Sequence, residues 1–476
     1  GEKKNVNDAL VEVIQNAVAI FKSMDDEYMS ARAADVEDIG NRILKNLAPH
    51  AQITEPAYEA GTIIIAEDLT PSDTITMNID LVAGFATQVG GKTSHAAIIA
   101  KSRGIPAVLG CGEDLKKVQD GDTIILDGQT GAVIINPEQQ VLKEYELKRE
   151  EWQQQSVLLR SLKDKPAITN DGVAVTLLAN VADAAEMEHA IEFGAEGSGL
   201  FRTEFLFLGR DNFPTEDEQF EYYKAVALKA KGKPVTVRTL DIGGDKQLTY
   251  FNFPQEQNPF LGYRAIRLCL DRTDIFTTQL KAILRASAFG NLKIMFPMIA
   301  NIRELRAAKA ILKDAKDELL RGNISFDKEI KEGIMIEIPS AAVMADVLAK
   351  EVDFFSIGTN DLTQYTLAAD RMNEKIKDIY EPLDPGVLRL ISNVIEQGNK
   401  NNIGVSMCGE MASDPGAALL LLGMGLREFS MSAASIPQVK KLVINNNLSD
   451  AKRICTDVMQ MDNSHDIIQY LQQASQ

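Results

Sequence analysis

The sequence predicts an α/β protein: a C-terminal (β/α)8 TIM barrel over residues 166–476, preceded by a small swivelling α/β domain around one histidine and the remnant of an N-terminal helical domain. Three observations predict this. Eight short apolar runs of strand character recur between residues 173 and 432, most of them separated by helical patterns. Polar and charged residues collect at the C-terminal ends of these runs, the end at which such barrels carry their chemistry. Between residues 48 and 137 the pattern changes to short strands and glycine turns, with one well-marked helix.

The elements follow in order. Leu10, Val13, Ile14, Ala17 and Phe21 take the spacing of one helix face, and Val36, Ile39, Ile43 and Leu47 repeat it over 26–47. The chain begins at Gly1 inside this pattern, so we expect further helical residues to precede it. Strand runs follow at 61–66, 81–89, 106–109 and 123–126. The last enters a hairpin whose turns are Asp127-Gly128 and Thr130-Gly131. A helix is expected over 93–103. Residues 138–165 are charged, Gln-rich and free of glycine. They read as one long helix, either a tether between domains or an ordinary surface helix. The barrel strands are expected at 173–181, 197–204, 234–241, 292–299, 333–339, 353–361, 403–410 and 426–432. A doubly wound sheet has the same rhythm, but the collection of polar residues at one end of the runs favours the barrel.

Composition narrows the function. The 476 residues carry 50 Lys and Arg against 68 Asp and Glu, a net charge of −18. That balance opposes a general nucleic-acid binder, which needs a cationic face to displace counterions. No apolar run approaches the roughly 20 residues of a membrane helix. Four scattered cysteines, with no Cys/His pair at zinc spacing, argue against structural zinc and suit a reducing cytoplasm.

The strand exits carry the chemistry. They present Arg202, Thr203 and Glu204, then Arg238 and Asp241 with Lys246 beyond a Gly243-Gly244 turn. Glu337 follows, then Asn360, Asp361, Gln364 and Arg371, then Cys408 and Glu410, then Ser430 and Ser432. Glu337 and Asp361 leave neighbouring strands and can share a hard divalent cation such as magnesium. Arg202, Arg238 and Arg371 are planar forks for phosphate or carboxylate. Cys408 is either core filler or, as a neutral thiol, a proton donor, and adjacent Glu410 disfavours its thiolate. Cys269 and Cys455 read as core.

His95 differs from His50, His189 and His465 in its setting. The run Gly90-Gly91-Lys92-Thr93-Ser94-His95 reads as strand exit, glycine turn and helix start, where free N–H groups and the dipole favour an anion. A tethered histidine domain beside a magnesium-dependent anion barrel points to phosphoryl transfer onto His95.

GGKTSHAAIIAKSRGIPAV resembles the phosphohistidine signature of the phosphoenolpyruvate-utilising enzymes. GLFRTEFLF, RTLDIGGDK, NPFLGYRAIR, MIEIPSA, SIGTNDLTQY and VSMCGEMASDP resemble the same family. Within it, RTLDIGGDK followed by NPFLGYRAIR is most similar to the enzyme I branch of the bacterial sugar phosphotransferase system. The resemblance implies that His95 accepts the phosphoryl group and that Arg202, Arg238, Arg371 and Asn360, with Asp361 and Lys246 near, hold phosphoenolpyruvate. It implies that Glu337 and Asp361 bind Mg2+ and that Cys408 protonates the enolate carbon. It also implies handover to the carrier protein HPr, which residues 1–47 help to dock, and a homodimer through the barrel. The alternatives are a fragment of an ATP-dependent pyruvate dikinase or phosphoenolpyruvate synthase, and a phosphohistidine regulator without catalysis.

Overall fold

A computed structural model of the chain describes residues 6–22, 40, 59–69, 81–90, 100, 105–244, 248–373, 375–376 and 378–474. His95, Lys246, most of the helix expected over 93–103 and all of 26–47 except Gly40 lie outside the described residues. The chain divides into two compact units, residues 1–153 and 154–476.

In the first unit a helix spans Val6–Lys22. Strands β1 (Thr62–Ala66), β2 (Val82–Thr87) and β3 (Ala107–Val108) form a three-stranded parallel sheet. Phe85 of β2 is buried there with Leu69 and Ala100. Strands β4 (Ile124–Asp127) and β5 (Ala132–Ile135) pair as an antiparallel hairpin. Its turn is held by Asp127, whose Oδ1 accepts from the backbone N–H of Gln129 at 2.9 Å and of Thr130 at 3.1 Å. Gly131 closes it at φ +75°, where a side chain would be strained. A long helix occupies Gln139–Ser161.

The second unit contains eight parallel strands that close into a barrel in the order β10-β11-β12-β13-β6-β7-β8-β9. They are β6 (Thr176–Val181), β7 (Ser198–Arg202), β8 (Val235–Arg238), β9 (Leu292–Phe296), β10 (Lys331–Ile336), β11 (Phe354–Ile357), β12 (Gly404–Met407) and β13 (Glu428–Met431). Each falls within or overlaps an expected run. The first strand starts three residues later than the pattern suggests. Gly172, at φ +86°, turns the chain so that Ala174 bridges back to Ile168 before the barrel begins.

Residue types fix the helices at their starts. Asp183 caps 184–192 by accepting from the N–H of Glu186 at 2.8 Å. Thr215 and Glu218 form a capping box at the start of 216–229. Asn301, Asp384 and Asp414 cap the helices that begin at 302, 385 and 415. Each such cap stabilises its helix by roughly 1 kcal/mol.

The period-two alternation of strands then decides what faces where. Val237, Phe201, Ile334, Ile336, Phe355, Ile357, Met407 and Phe429 join the large core between barrel and helices. Phe201 meets Tyr222 and Tyr223 there, at ring-centroid distances of 5.8 and 5.9 Å. Burying such a side chain contributes roughly 1.5–3 kcal/mol. The alternate residues Leu200, Met295, Met335, Phe354 and Cys408 make a second, separate cluster inside the barrel. The same phase carries Arg202, Arg238 and Glu337 to the strand exits.

Candidate active site

The site is built from strand ends. In the register of the sheet Arg202 lies opposite Arg238, and Arg238 opposite Met295. Ile336 pairs with Ile357, and Ile357 with Met407. Glu337, Gly358 and Cys408 therefore come one step later, at a common level across three adjacent strands.

A chain of alternating charges runs across this end. Arg238 donates to Glu204 Oε1 at 2.5 Å and lies 3.0 Å from Asp241 Oδ2. Arg264 donates to Asp241 Oδ1 at 2.9 Å and to Asp361 Oδ2 at 3.2 Å. Arg371 Nη1 lies 3.9 Å from Asp361 Oδ1. Arg238, Arg264, Asp241, Glu204 and Asp361 are all buried, whereas Arg202 is exposed. Burial works against the charge on Arg238, but Glu204, Asp241 and Glu337 outweigh it and hold the guanidinium protonated. Asp241 and Asp361 do the same for Arg264 against its burial.

Glu337 sits where negative charge is in excess, and its carboxyl answers by holding its proton. Its Oε1 accepts from the backbone N–H of Met298 at 2.6 Å. Met298 adopts φ +55°, a left-handed conformation that costs a side-chain-bearing residue on the order of 1 kcal/mol. Burial, then repulsion from Asp361 and Asp241, pushes the Glu337 carboxyl up to about 8, more than Arg238 and Arg264 offset. Gly358 allows this packing, because a Cβ there would lie 2.9 Å from Glu337 Oε2.

Two tyrosines brace this end of the barrel. Tyr365 donates its hydroxyl to the Phe260 carbonyl at 2.5 Å and accepts from Arg264 at 3.2 Å. Tyr380 donates to the Asn360 carbonyl at 3.1 Å. Beneath, Gln279 is fully buried: its Nε2 donates to Thr203 Oγ1 at 3.1 Å and its Oε1 accepts from the Leu240 N–H at 2.9 Å. Thr203 in turn donates to the Arg238 carbonyl at 2.9 Å, tying the ends of β7 and β8 together.

Comparison with known proteins follows this geometry. Residues 156–448 match the family model "PEP-utilising enzyme, PEP-binding domain", and residues 58–131 match "PEP-utilising enzyme, mobile domain". The chain is 49% identical over 472 residues to the phosphoenolpyruvate-protein phosphotransferase of Staphylococcus carnosus, spanning 99% of this chain and 82% of that one. It is 50% identical over 474 residues to the protein of the same name from Geobacillus stearothermophilus, spanning 99% and 81%. The chain belongs to the phosphoenolpyruvate-protein phosphotransferase family. It is a transferase. A solution structure of an enzyme I protein is 43% identical over 30% of this chain and 58% of that chain, with a TM-score of 0.25.

Of the residues singled out from the sequence of this phosphotransferase, Arg202, Arg238, Glu337, Asp361, Arg371 and Cys408 gather at or just beneath one barrel end. Asn360 adjoins them through its carbonyl. His95 and Lys246 lie outside the described residues. The expectation for Cys408 needs correction on one point. The thiol is buried among Leu200, Met295, Met335 and Phe354, and its pKa is pushed up to about 11 by burial, with Glu337 adding to the rise. Glu410, exposed on the following 3-10 turn, is not what keeps it neutral.

Sequence reasoning missed Arg264, which joins the two carboxylates Asp241 and Asp361. It lies in NPFLGYRAIR, away from any strand end. Two backbone features bring it in: Gly243 at φ +107°, whose Cβ would lie 2.5 Å from Arg264 Cβ, and Ala265 at φ +51°. The available signal was a cation within a run that resembles the family.

Proposed function

We propose that this chain takes the phosphoryl group of phosphoenolpyruvate onto His95 and passes it to the phosphocarrier HPr, releasing pyruvate, with Mg2+ as cofactor and the barrel as a homodimer. The observation that carries this reading is the buried run Arg238–Asp241–Arg264–Asp361 beside a carboxyl, Glu337, that burial and its neighbours hold unusually basic. Such a site has cationic forks for a small multiply charged anion and a carboxylate pair for a hard cation.

In this reading residues 48–137 present His95, residues 138–165 tether it, residues 166–476 hold phosphoenolpyruvate, and residues 1–47 contribute to carrier docking. Arg202, Arg238, Arg371, Lys246 and Asn360 bind substrate, and Arg264 joins them. Phosphoryl transfer asks for positioning and charge neutralisation more than covalent help. Arginine forks that are already ordered by Glu204, Asp241 and Asp361 meet that demand with little reorganisation.

Glu337 and Asp361 are the residues that would hold Mg2+. The fit is chemical: all donors are hard oxygens, and the repulsion that raises the Glu337 carboxyl is what a divalent cation relieves. Magnesium takes one or two protein carboxylates and completes its shell with waters and substrate oxygens. When bound, Mg2+ offsets charge on the phosphoryl and enolate oxygens. Cys408, neutral at pH 7, holds the proton that the enolate carbon needs.

The test is labelling. Incubation with phosphoenolpyruvate and Mg2+ should add one acid-labile phosphoryl group, seen by mass spectrometry, and His95→Ala should abolish it. Labelling that survives in that variant would overturn the assignment.

A further inference from the structure

Among the described residues one hydroxyl bonds to the thiol of Cys408. Ser356, on β11, is fully buried and its Oγ donates to Cys408 Sγ at 3.4 Å. Apolar side chains cluster with it, Leu200, Met295, Met335 and Phe354, and the charges of Arg238, Arg202 and Glu337 are felt at the sulfur. The register explains the pair, since Ser356 lies opposite Ser406, two residues before Cys408 on the same face of β12. The backbone at Cys408 is held separately. Asn180 donates from Nδ2 to the Cys408 carbonyl at 3.0 Å, and Ser430 donates to Asn180 Oδ1 at 2.7 Å. The Ile357 carbonyl on β11 accepts from the Cys408 N–H at 3.1 Å and from its thiol at 3.7 Å, so among the described residues the sulfur has one acceptor, that carbonyl, and one donor, Ser356.

We propose that Ser356 is a positioning residue for proton transfer: its hydroxyl supports the sulfur of Cys408 and stabilises the charge left there when the thiol protonates the enolate. The inference rests on the reading of Cys408 as the proton donor. In that step the C=C electron pair of the enolate takes the proton from Sγ and forms the new C–H bond. The enolate oxygen becomes the ketone oxygen of pyruvate, and the S–H pair stays on sulfur as a thiolate. The thiolate regains a proton from water after pyruvate leaves. A buried thiolate among leucine, methionine and phenylalanine side chains is poorly solvated, so the O–H donor at 3.4 Å, the hydrogen bond that favours the thiolate beside the more distant charges of Arg238 and Arg202, weighs on how readily the proton departs. The hydrogen bond from Ser356 pulls the thiol down against its burial, in the sense the proposal requires. Among the described residues the buried Ser356 hydroxyl bonds to sulfur alone, so the effect of removing it should fall on one step.

The test separates the steps. In single turnovers of the intact protein with phosphoenolpyruvate and Mg2+, phosphohistidine and pyruvate are quantified from the same quenched samples, in H2O and in D2O. Ser356→Ala should leave phosphoenolpyruvate affinity and phosphohistidine formation within about twofold of the parent and slow pyruvate formation about tenfold. The solvent isotope effect on pyruvate should increase, because proton transfer becomes the slow step. Ser356→Thr, which keeps the hydroxyl, should restore most of the rate. Pyruvate formation unchanged in Ser356→Ala, or slowed equally with phosphohistidine and without a larger isotope effect, would overturn the proposal in favour of simple packing. Cys408→Ser is the control on the underlying reading: if it too forms pyruvate at the parent rate, the thiol is not the donor and both ideas fall together, whereas slow pyruvate in Cys408→Ser alone removes only Ser356.

Discussion

Asp241→Asn is the substitution that most directly probes the charge chain. Asp241 uses both carboxylate oxygens: Oδ2 lies 3.0 Å from Arg238 and Oδ1 2.9 Å from Arg264. An asparagine has the same shape but one oxygen, so one arginine must face an NH2 group, donor against donor. Both guanidinium groups are buried, and Glu204 and Asp361 remain as their second partners. Breaking a buried pair typically costs about 3–5 kcal/mol, and the surviving partners place this case near about 3 kcal/mol. The substitution also removes one negative charge next to Glu337, whose carboxyl Asp241 helps to raise. Stability and anion binding should therefore move apart. Urea unfolding followed by barrel tyrosine fluorescence should show a loss of about 3 kcal/mol, while the affinity for phosphoenolpyruvate stays level or improves. A stability within about 1 kcal/mol of the parent would mean that Asp241 is well solvated and that the buried-chain reasoning is wrong.

Three further outcomes are expected. Glu337→Gln and Asp361→Asn should each lose most Mg2+-dependent turnover while retaining the circular dichroism of the parent; near-normal Mg2+ dependence in both would exclude the pair. Gly409→Ala should destabilise the barrel by about 1–3 kcal/mol or more, because its Cβ would lie 1.7 Å from Thr359 Oγ1; unfolding at parent-like denaturant would show that the β11 and β12 exits are loosely packed. Cys408 carries a pH signature: its folded pKa is raised from the ordinary 9.0 to about 11. Below pH 9 the thiol is neutral folded or unfolded. Between pH 9 and 11 the unfolded chain loses the proton and the folded one keeps it, so stability falls as pH rises. At pH 10.5 the parent should have lost about 2 kcal/mol that Cys408→Ala does not lose, and parallel pH profiles for the two proteins would contradict the burial argument.

Much of this architecture is legible in the residues. The eight apolar runs, their spacing and the polar residues at their exits specify strands of a barrel, because side-chain alternation and helix periodicity are local properties of a chain. The caps Asp183, Thr215, Asn301, Asp384 and Asp414 are likewise local, and each sits where its helix begins. That Arg202, Arg238, Glu337 and Cys408 share one end also follows from parallel strands, since every strand leaves the barrel in the same direction.

Partnership is another matter, for it depends on closure of the barrel and on backbone shape far from the strands. Arg264 enters the site through Gly243 at φ +107° and Ala265 at φ +51°, and neither angle is written in a hydrophobic pattern. Pairings across 23, 97 and 101 residues, Arg264 with Asp241, Asp361 and Tyr365, arise only when distant loops meet. The same holds for Cys408. Its residue type made a neutral thiol conceivable, but its burial beside Ser356, and hence its pKa, is decided by which neighbours exclude water. The sequence determined the strands, the caps and the kinds of chemical group at the mouth. Tertiary structure alone decided which charges compensate one another, because electrostatic energy depends on separation and desolvation in three dimensions.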